Sequence, residues 1–441
     1  MSRVLTNAHV LTMDDASTEL AGGWVQIDDG FVTEVGDGEP PEPGEDLGGA
    51  VVTPALINTH HHLFQTLTRA RAQEADLFAW LKELYPVWAG IDAEAEYAAA
   101  RTGLAELALS GCATVFDHHY VFPRGREGLI EAELRAAQEL GVRIVASRGS
   151  MDLGESAGGL PPDSLVEELD AVLADTERLA ALHERGPGAR VQLAVAPCSP
   201  FSVTSRLMTE SAELARRLEL PLHTHLAETV EEEAYCQELY GCRPVEYLEQ
   251  LGWLAEDVWC AHCVHLDDGD IQRFAATGTG VAHCPTSNLR LGAGVAPVRQ
   301  LLDAGVRVGL GVDGSASNER SDLIYDVKQA LLVARGRGGP TALTAREALR
   351  IATRGSAAVL GRTDLGSLEP GRCADIAVWR TDGLEFGGAL DPVAALVFSA
   401  PHRVDRLLVG GEDVVEDGRL VNASEDEIAS THREQATRFA A

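Results

Sequence analysis

An apolar run that ends in three consecutive histidines stands early in the chain, Pro54-Ala55-Leu56-Ile57-Asn58-Thr59-His60-His61-His62. The run predicts a β-strand, along which residues two apart point to the same face. His60 and His62 are therefore expected on one side and His61 on the other. Neutral imidazole is a good ligand for zinc or iron, so two imidazoles on one strand edge indicate a metal site. A polar strand end with a chance histidine run is the alternative.

Strand and helix signals alternate from this run onward through the middle of the chain. The strand candidates are residues 51–60, 113–120, 143–149, 191–197, 221–227, 258–264, 280–284 and 306–312. Helical stretches are predicted between most of them, at 93–109, 129–140, 165–185, 205–218 and 268–276. Eight strands with intervening helices predict a parallel (β/α)8 barrel of the TIM type. A doubly wound open sheet is the alternative, but nothing resembling GxGxxG follows the first strand.

Both ends of the chain carry short strand signals broken by turns. Asp28-Asp29-Gly30 separates two alternating runs and predicts a hairpin. A matching pattern returns near the other end, at residues 374–379, 404–409 and 414–418. Residues 1–53 and 366–441 are therefore predicted to form the two halves of one small β-sandwich domain, with a terminal helix. Residues 54–365 are predicted to form the metal-dependent catalytic barrel.

Composition argues against several classes of protein. The chain of 441 residues carries a formal net charge of -32, which disfavours binding to nucleic acid through its phosphates. No apolar run approaches the roughly 20 residues of a membrane helix, and the first residues lack the apolar segment of a signal peptide. The eight cysteines are scattered without the spacing of a disulfide framework. We expect a cytoplasmic protein with reduced thiols that binds neither nucleic acid nor membrane.

Ten of the fourteen histidines lie in or just beyond the predicted strands, and several of them are at the C-terminal strand ends, the face where barrel enzymes build active sites. The fifth strand ends in His223-Thr224-His225-Leu226-Ala227-Glu228, and the eighth ends in Gly311-Val312-Asp313-Gly314. The eighth strand of a closed barrel lies beside the first, so Asp313 is expected near the first histidines. A turn aspartate is the alternative for Asp313 alone. The predicted metal ligands, which leave a place for water, are His60, His62, His225 and Asp313.

Two further polar residues are predicted to act beside the metal. Glu228 follows the fifth strand within reach of a bound water, and His262 ends the sixth strand, where it can bond the attacking oxygen or the substrate. A satisfied core histidine is the alternative for His262, and it is the preferred interpretation of His118, His119, His265 and His283. Binuclear barrel hydrolases often carry a modified lysine on strand four, but residues 191–197 contain no lysine. One divalent ion per chain is therefore predicted, Zn²⁺ first, with Fe²⁺ as the alternative.

Four motifs resemble the amidohydrolase superfamily, in its branch of mononuclear nucleobase and triazine deaminases. They are residues 54–62, His225-Leu226-Ala227-Glu228, Ala261-His262-Cys263 and Val312-Asp313-Gly314. The similarity covers nearly the whole chain. Within this branch the chain is most similar to the bacterial 8-oxoguanine deaminases, through residues 60–70, 84–89, 117–120, 148–151 and 313–318.

The resemblance implies a metal-dependent hydrolase that releases ammonia from a cyclic amidine. Asp313 is expected to take a proton from the attacking water, Glu228 to carry one to the ring nitrogen, and His262 to stabilise the oxygen. The expected substrate contacts are Gln65, Trp88, Arg148 and Cys198. Trp88 lies in a long segment after strand one that is placed to cover the site, and packing within that segment is the alternative. The resemblance also implies a homo-oligomer that acts on a small molecule.

The segment after strand four bears on the choice of substrate. Guanine deaminases of this superfamily carry Pro-Arg-Phe-Ser there, whereas this chain reads Cys198-Ser199-Pro200-Phe201-Ser202. A buried carbonyl that lacks its donor costs roughly 1 to 3 kcal/mol. The predicted reaction is conversion of 8-oxoguanine to urate, with isocytosine as a second substrate and guanine as a poor one. The alternatives are a guanine deaminase, a triazine aminohydrolase or chlorohydrolase resembling hydroxydechloroatrazine ethylaminohydrolase, a cyclic-amide hydrolase and a non-catalytic binding protein.

Overall fold

Strands from both ends of the chain form one nine-stranded, mainly antiparallel sheet. The computed structural model describes residues 2–401 and 403–439. The strands of this sheet are β1 (Arg3–Leu11), β2 (Glu19–Asp28), β3 (Phe31–Gly36), β4 (Glu45–Asp46), β5 (Val51–Pro54), β14 (Ile376–Trp379), β15 (Arg406–Val409), β16 (Glu412–Glu416) and β17 (Arg419–Leu420). The predicted hairpin links β2 to β3, and Gly30 in its turn takes a φ of +83°. The two halves meet where β5 pairs antiparallel with β14.

The middle of the chain forms a closed barrel of eight parallel strands. They are β6 (Leu56–Asn58), β7 (Cys112–Asp117), β8 (Arg143–Ser150), β9 (Val191–Pro197), β10 (Leu222–Leu226), β11 (Val258–His262), β12 (Gly280–His283) and β13 (Val308–Leu310). The barrel closes where Leu310 of β13 pairs with Asn58 of β6. The predicted TIM-like barrel with a terminal β domain is therefore confirmed.

Helices surround the barrel and follow most of its strands. The described residues form α1 (Leu77–Trp88), α2 (Ala93–Leu109), α3 (Leu129–Leu140), α4 (Leu169–Ala180), α5 (Ser205–Leu218), α6 (Val230–Tyr240), α7 (Pro244–Gln250), α8 (Asp268–Thr277), α9 (Pro285–Arg290), α10 (Val298–Asp303), α11 (Leu323–Gly338), α12 (Ala345–Arg350), α13 (Ser356–Val359), α14 (Pro392–Ser399) and α15 (Glu425–Arg438). Side-chain oxygens of Asp92, Thr204 and Asp267 cap α2, α5 and α8 by accepting from otherwise unpaired backbone N–H groups. Within the described ranges, no helix is both long and apolar enough to span a membrane.

The first predicted strand, residues 51–60, divides between the two sheets. Residues 51–54 form β5 of the terminal sheet, and the barrel strand β6 ends at Asn58. The division falls at Ala55, whose N–H donates to the carbonyl of Asp375 rather than to a barrel strand. His60 and His62 therefore lie in the loop just beyond the strand, so the expected strand alternation does not set their directions. The Asp313 N–H donates to the His60 carbonyl at 3.0 Å, which ties this loop to the end of the barrel.

Aromatic rings close the barrel beneath the histidines. The Phe116 and Trp259 ring centroids lie 4.8 Å apart, and the His223 ring packs 4.6 Å from Phe116 and 4.8 Å from Trp259. All three side chains are buried. Because this floor excludes water from below, the polar groups at the strand ends can be reached only from the C-terminal face of the barrel.

One buried ion pair joins the barrel to the terminal sheet. Arg143, at the start of β8, donates to both carboxylate oxygens of Asp375, at 2.7 and 2.9 Å. The same carboxylate accepts from the Gly410 N–H at 2.7 Å. A bidentate pair of this kind fixes direction as well as distance, so it helps to orient the sheet on the barrel.

Candidate active site

The residues predicted to bind metal come together at the C-terminal end of the barrel. His60 and His62 follow β6, His225 lies near the end of β10, and Asp313 follows β13. All four side chains are buried. They stand at the bottom of a cavity whose walls include His62, His225 and Asp313.

Hydrogen bonds fix the tautomers of two of these histidines. His62 Nδ1 lies 2.7 Å from the His118 carbonyl, and His225 Nδ1 lies 2.6 Å from the Cys198 carbonyl. A carbonyl oxygen only accepts, so each Nδ1 carries the proton and each Nε2 keeps a lone pair. The two Nε2 atoms lie 3.1 Å apart. Two lone pairs therefore face each other in a buried site.

The tautomer of His60 is set through His223. The His223 Nδ1–H donates to the Trp259 carbonyl at 3.0 Å, which leaves its Nε2 as an acceptor. That nitrogen lies 2.9 Å from His60 Nδ1, so His60 donates and its own Nε2 is unprotonated. His60 Nε2 is buried and has no hydrogen-bond partner. His223 is thus an orienting residue, and His60 is a third imidazole with a free lone pair.

Asp313 brings a carboxylate to the same point. Its Oδ1 lies 3.4 Å from His60 Nε2 and 3.3 Å from His62 Nε2. Its Oδ2 accepts from the Ser287 hydroxyl at 2.6 Å, and the Gly314 N–H donates to Oδ1 at 2.7 Å. Burial alone raises the pKa of Asp313, but its interactions with the surrounding imidazoles, that of His60 foremost, outweigh burial and hold that pKa well below its usual range. Asp313 is therefore an anion in this site.

This donor set fits a divalent cation. Three unprotonated imidazole nitrogens and one carboxylate oxygen converge, a combination that suits zinc and Fe²⁺. Second hydrogen bonds hold each imidazole in its ligating tautomer, as in protein metal sites generally. His118 joins the group, because its Nε2 donates to the Ala196 carbonyl at 2.8 Å and its Nδ1 is buried without a partner.

Glu228 lies beside the predicted metal ligands, and its pKa is shifted from the usual value. Its side chain lines the cavity, and burial raises its pKa to about 7. The loop that carries it is clamped by Glu232, whose two carboxylate oxygens accept from the N–H groups of Ala227 and Glu228, at 2.8 and 2.9 Å. A carboxyl group that titrates near neutrality is suited to take up and release a proton during a reaction.

His262 faces Glu228 across the cavity. Its Nδ1 donates to the Asn288 side-chain oxygen at 2.9 Å, and its Nε2 lies 3.6 Å from Glu228 Oε2. Burial lowers the pKa of His262, but the charges of Glu228 and Asp313 outweigh it and raise that pKa above the usual value. Nε2 is thereby aimed into the cavity as a donor, 4.0 Å from Asp313 Oδ2.

Left-handed backbone recurs at three strand ends around the site. Ala227, His262 and Asp313 take φ values of +50°, +70° and +67°. Residues with a Cβ adopt this region at a cost of roughly 1 kcal/mol or more. Such strain is concentrated at functional sites, and here it accompanies the sharp turns that aim His262 and Asp313 into the cavity.

A helix that covers the barrel mouth supplies much of the cavity wall. Four residues of α1 line the cavity, namely Leu77, Trp80, Leu81 and Tyr85. The other lining residues include Gln65, Tyr120, Cys198, Phe201, Leu291 and Ser317. Gln65 Oε1 and the Tyr85 hydroxyl are buried without hydrogen-bond partners. Two polar atoms are therefore free to bond a ligand within an otherwise largely apolar enclosure.

Two of the predicted substrate contacts lie outside the cavity. Arg148 is paired with Glu167 and Asp175, each at 2.7 Å, and its guanidinium stacks 3.7 Å above the Phe122 ring. Trp88 donates its indole N–H to Thr68 at 3.1 Å and does not line the cavity. As the side chains are placed here, neither Arg148 nor Trp88 reaches the cavity, and their contact with substrate stays a prediction.

The other two predicted contacts, Gln65 and Cys198, do line the cavity. Cys198 also orients His225 through its carbonyl. The prediction from sequence missed Tyr85 and Tyr120. Tyr120 directly follows Asp117-His118-His119 at a strand end, which was a usable signal. Tyr85 has a weaker one, since Leu77, Leu81 and Tyr85 recur at the four-residue spacing of one helix face.

Comparison with known proteins adds independent information. A sequence profile of the amidohydrolase family matches residues 51–414. The chain is 48% identical over 427 residues to the 8-oxoguanine deaminase of Pseudomonas aeruginosa, a match that covers 95% of each chain. It is 40% identical over 419 residues to an isoxanthopterin deaminase of an unknown prokaryotic organism, covering 89% of this chain and 87% of the relative. The solved structure of atrazine chlorohydrolase from Arthrobacter aurescens TC1 complexed with zinc superposes with a TM-score of 0.94 at 36% identity, over 98% of this chain and 99% of that one.

Proposed function

This chain belongs to the amidohydrolase family, and we propose that it deaminates 8-oxoguanine, giving urate and ammonia, with isocytosine as a second substrate. It is a hydrolase of carbon–nitrogen bonds in cyclic amidines. The observation that carries the choice of substrate is the 48% identity to an 8-oxoguanine deaminase along 95% of both chains. The free polar atoms of the cavity and the absence of arginine from residues 198–202 support the same choice.

One divalent ion is proposed to bind in this site. Zn²⁺ is the preferred ion and Fe²⁺ the alternative, and the proposed ligands are His60, His62, His225 and Asp313. A divalent ion in such a site acts as a Lewis acid that makes water a nucleophile near neutral pH. The chain's own contribution begins with Asp313, whose carboxylate takes the proton of the attacking water. Ser287 keeps that carboxylate oriented by donating to its Oδ2 at 2.6 Å.

Glu228 and His262 are proposed to divide the remaining proton transfers. Glu228 carries a proton to the ring nitrogen beside the carbon that bears the amino group, which makes that carbon electrophilic. His262 donates from Nε2 to the oxygen that attacks this carbon, while Asn288 holds the opposite ring nitrogen. Collapse of the tetrahedral adduct breaks the carbon–nitrogen bond and expels ammonia, with Asp313 returning a proton to the leaving nitrogen and Glu228 taking back the proton of the new hydroxyl as the carbonyl forms.

Recognition of the substrate is assigned to the free polar atoms of the wall. Gln65 can donate and accept together, as the edge of an oxopurine requires, and the Tyr85 hydroxyl can bond the oxygen that distinguishes 8-oxoguanine from guanine. Trp80 and Phe201 line the same cavity and offer aromatic surface for a planar ring. Guanine lacks that second oxygen, so it leaves a buried hydroxyl unpaired at a cost of roughly 1 to 3 kcal/mol.

The test is a panel of substrates assayed for ammonia under one set of conditions: 8-oxoguanine, guanine, isocytosine and isoxanthopterin. We expect kcat/KM for 8-oxoguanine to exceed that for guanine by about tenfold or more, with measurable turnover of isocytosine. Guanine turned over as efficiently as 8-oxoguanine would contradict the substrate assignment and leave the deaminase chemistry standing.

A triazine hydrolase is the second candidate, favoured by the TM-score of 0.94 to a zinc complex of atrazine chlorohydrolase. The same site would then displace chloride or an alkylamine from a triazine ring. Measuring chloride and alkylamine release from triazines beside the purine panel separates the two. Triazine turnover with kcat/KM above that of every purine would replace the first proposal.

We also propose a homo-oligomer. Leu384 and Leu390 are fully exposed, and Phe398 of α14 is 41% exposed. Leu384 belongs to residues 384–386, which contact α14, and Leu390 stands just before that helix. Exposed apolar surface of this kind marks association sites. Light scattering of the purified protein checks this, and we expect Leu384→Glu with Leu390→Glu to lower the measured mass toward that of one chain.

A further inference from the structure

A second group of ionisable side chains is buried outside the barrel. Glu96 of α2, Asp117 at the end of β7, His119 just beyond it and Glu133 of α3 are all 0% exposed. Ligand atoms of Glu96, His119 and Glu133 lie within 4.8 Å of one another. The mechanism proposed above uses none of these four residues.

The imidazole of His119 is held with a lone pair directed at the carboxylates. Its Nε2 donates to the Val121 carbonyl at 2.9 Å, so in the neutral ring Nδ1 is unprotonated. Nδ1 lies 3.0 Å from Glu133 Oε1 and 3.6 Å from Glu96 Oε2. Despite these distances, Nδ1 and both carboxylates lack hydrogen bonds, because in this tautomer all of them are acceptors.

Six buried polar atoms in this group receive no hydrogen bond from a protein donor, namely Glu96 Oε1 and Oε2, Asp117 Oδ2, His119 Nδ1, and Glu133 Oε1 and Oε2. The carboxyl groups of Asp117 and Glu133 lie close enough to share a proton when one of them is protonated. Asp117 Oδ1 is engaged elsewhere and accepts from the Leu63 N–H at 2.6 Å. Unpaired carboxylates cost several kcal/mol when buried unless a cation or protons compensate them. Burial raises the pKa of all three carboxyl groups, as this lack of compensation requires.

We propose that Glu96, His119 and Glu133, with Asp117 beside them, bind a second divalent cation, separate from the one held by His60, His62, His225 and Asp313. Ligand atoms that share an ion at about 2.1 Å lie about 3.0 to 4.2 Å apart, and the two distances from His119 Nδ1 fall within that range. One imidazole with two carboxylates suits Mn²⁺, Fe²⁺ or Zn²⁺, and lacks the all-oxygen shell that Ca²⁺ prefers.

The position of the group assigns this ion a structural task. It ties α2 and α3 to the loop that carries His118 and Tyr120 into the active site. Through the bond from Leu63 N–H, Asp117 also holds the start of the turn that follows His62. An ion bound only by the folded chain stabilises it by mass action, so its removal is expected to lower the melting temperature.

Counting ions in matched variants tests the proposal. The chain is stripped of metal by chelator, equilibrated separately with Zn²⁺ and Mn²⁺, freed of excess ion by gel filtration, and analysed by mass spectrometry of the elements. We expect close to two ions per chain in the wild type and close to one in Glu133→Gln. Glu131→Gln, on the same helix but partly exposed and paired with Arg178, is the control and should keep both.

The reciprocal variant keeps the test decisive if Glu133→Gln fails to fold. Asp313→Ala removes a barrel ligand and should retain one ion, and a crystal of that protein should show anomalous scattering between Glu96, His119 and Glu133. One ion per wild-type chain with either metal, together with none in Asp313→Ala, would overturn the proposal, because protons alone would then neutralise the group.

Discussion

His62 Nε2 and His225 Nε2 lie 3.1 Å apart in the barrel, and neither nitrogen carries a proton, because each ring donates from Nδ1 to a backbone carbonyl. Two facing lone pairs in a buried site are stable only with a positive charge nearby. The two imidazoles are therefore arranged to bind a cation, and each residue that ligates this ion is needed to hold it.

Removing one barrel ligand is expected to abolish deamination. His225→Ala or Asp313→Ala should lower kcat/KM by roughly 10³-fold or more, since the loss of metal-assisted activation costs several kcal/mol. Elemental analysis should show one ion fewer, and the circular dichroism spectrum should not change, because apolar burial supplies most of the stability. His183→Ala, outside the cavity, is the control. Full activity in either ligand variant would refute the ligand assignment.

Glu228→Gln is expected to keep the metal and lose turnover. Glutamine retains the size of the side chain but cannot carry a proton to the ring nitrogen, so kcat should fall by roughly 10²-fold or more. Steady-state kinetics and metal content are measured on the same preparation. Glu231→Gln, three residues further along on the exposed side of α6, should behave like the wild type. Loss of metal from Glu228→Gln would instead identify Glu228 as a ligand.

Tyr85→Phe is expected to weaken recognition of 8-oxoguanine. The change removes only the buried hydroxyl that has no partner in the protein, and one neutral hydrogen bond to substrate is worth about 1 kcal/mol. We expect kcat/KM for 8-oxoguanine to fall about fivefold to tenfold and that for guanine to change much less. Tyr97→Phe, near the surface, controls for a general effect. An equal fall in kcat/KM for both purines would show that Tyr85 does not bond the second oxygen.

Asp326 is expected to make stability depend on pH. Burial raises its pKa to about 8 in the folded protein, against about 3.9 when unfolded. Its contribution is therefore fully present below about pH 4 and is lost as the pH rises through about 8, by up to about 1.4 kcal/mol per pH unit. Asp326→Asn mimics the protonated acid beside Thr286 and Asn318.

The measurement is urea unfolding of wild type and Asp326→Asn between pH 5 and 9. The free energy of unfolding of the wild type should fall more steeply with pH than that of the variant. Asp303→Asn, at an exposed position, should parallel the wild type. Parallel curves for wild type and Asp326→Asn would show that Asp326 titrates normally.

The barrel and the metal ligands were predictable because both depend on local patterns. Strand and helix periods located the eight strands, and the predicted helices 93–109, 129–140 and 205–218 match α2, α3 and α5. Closure of the barrel then brings Asp313 beside the loop of His60, whatever the details of packing. Polar residues at strand ends can therefore be assigned to one face from the sequence.

The cavity walls were harder to predict because long-range packing sets them. Trp80 and Trp88 lie two turns apart on α1, and nothing local tells which turn covers the barrel mouth. Ion pairs with Glu167 and Asp175 hold Arg148 away from the cavity, and the sequence does not indicate these pairs. The surroundings of His119 were equally hard to predict. The carboxylates near it belong to α2 and α3, and in the sequence the polar residues of these helices have the pattern of a solvent-exposed face.

The pairing of β5 with β14 also constrains how the protein is made. Every active-site residue is synthesised before β14, yet until residue 376 leaves the ribosome β5 has an unpaired edge, and Arg143 lacks the carboxylate of Asp375. An open strand edge is a template for pairing with other chains. A chain that terminates early, between Asp313 and β14, therefore contains every catalytic side chain but leaves one edge of β5 unpaired. We expect such a chain to aggregate rather than to retain partial activity.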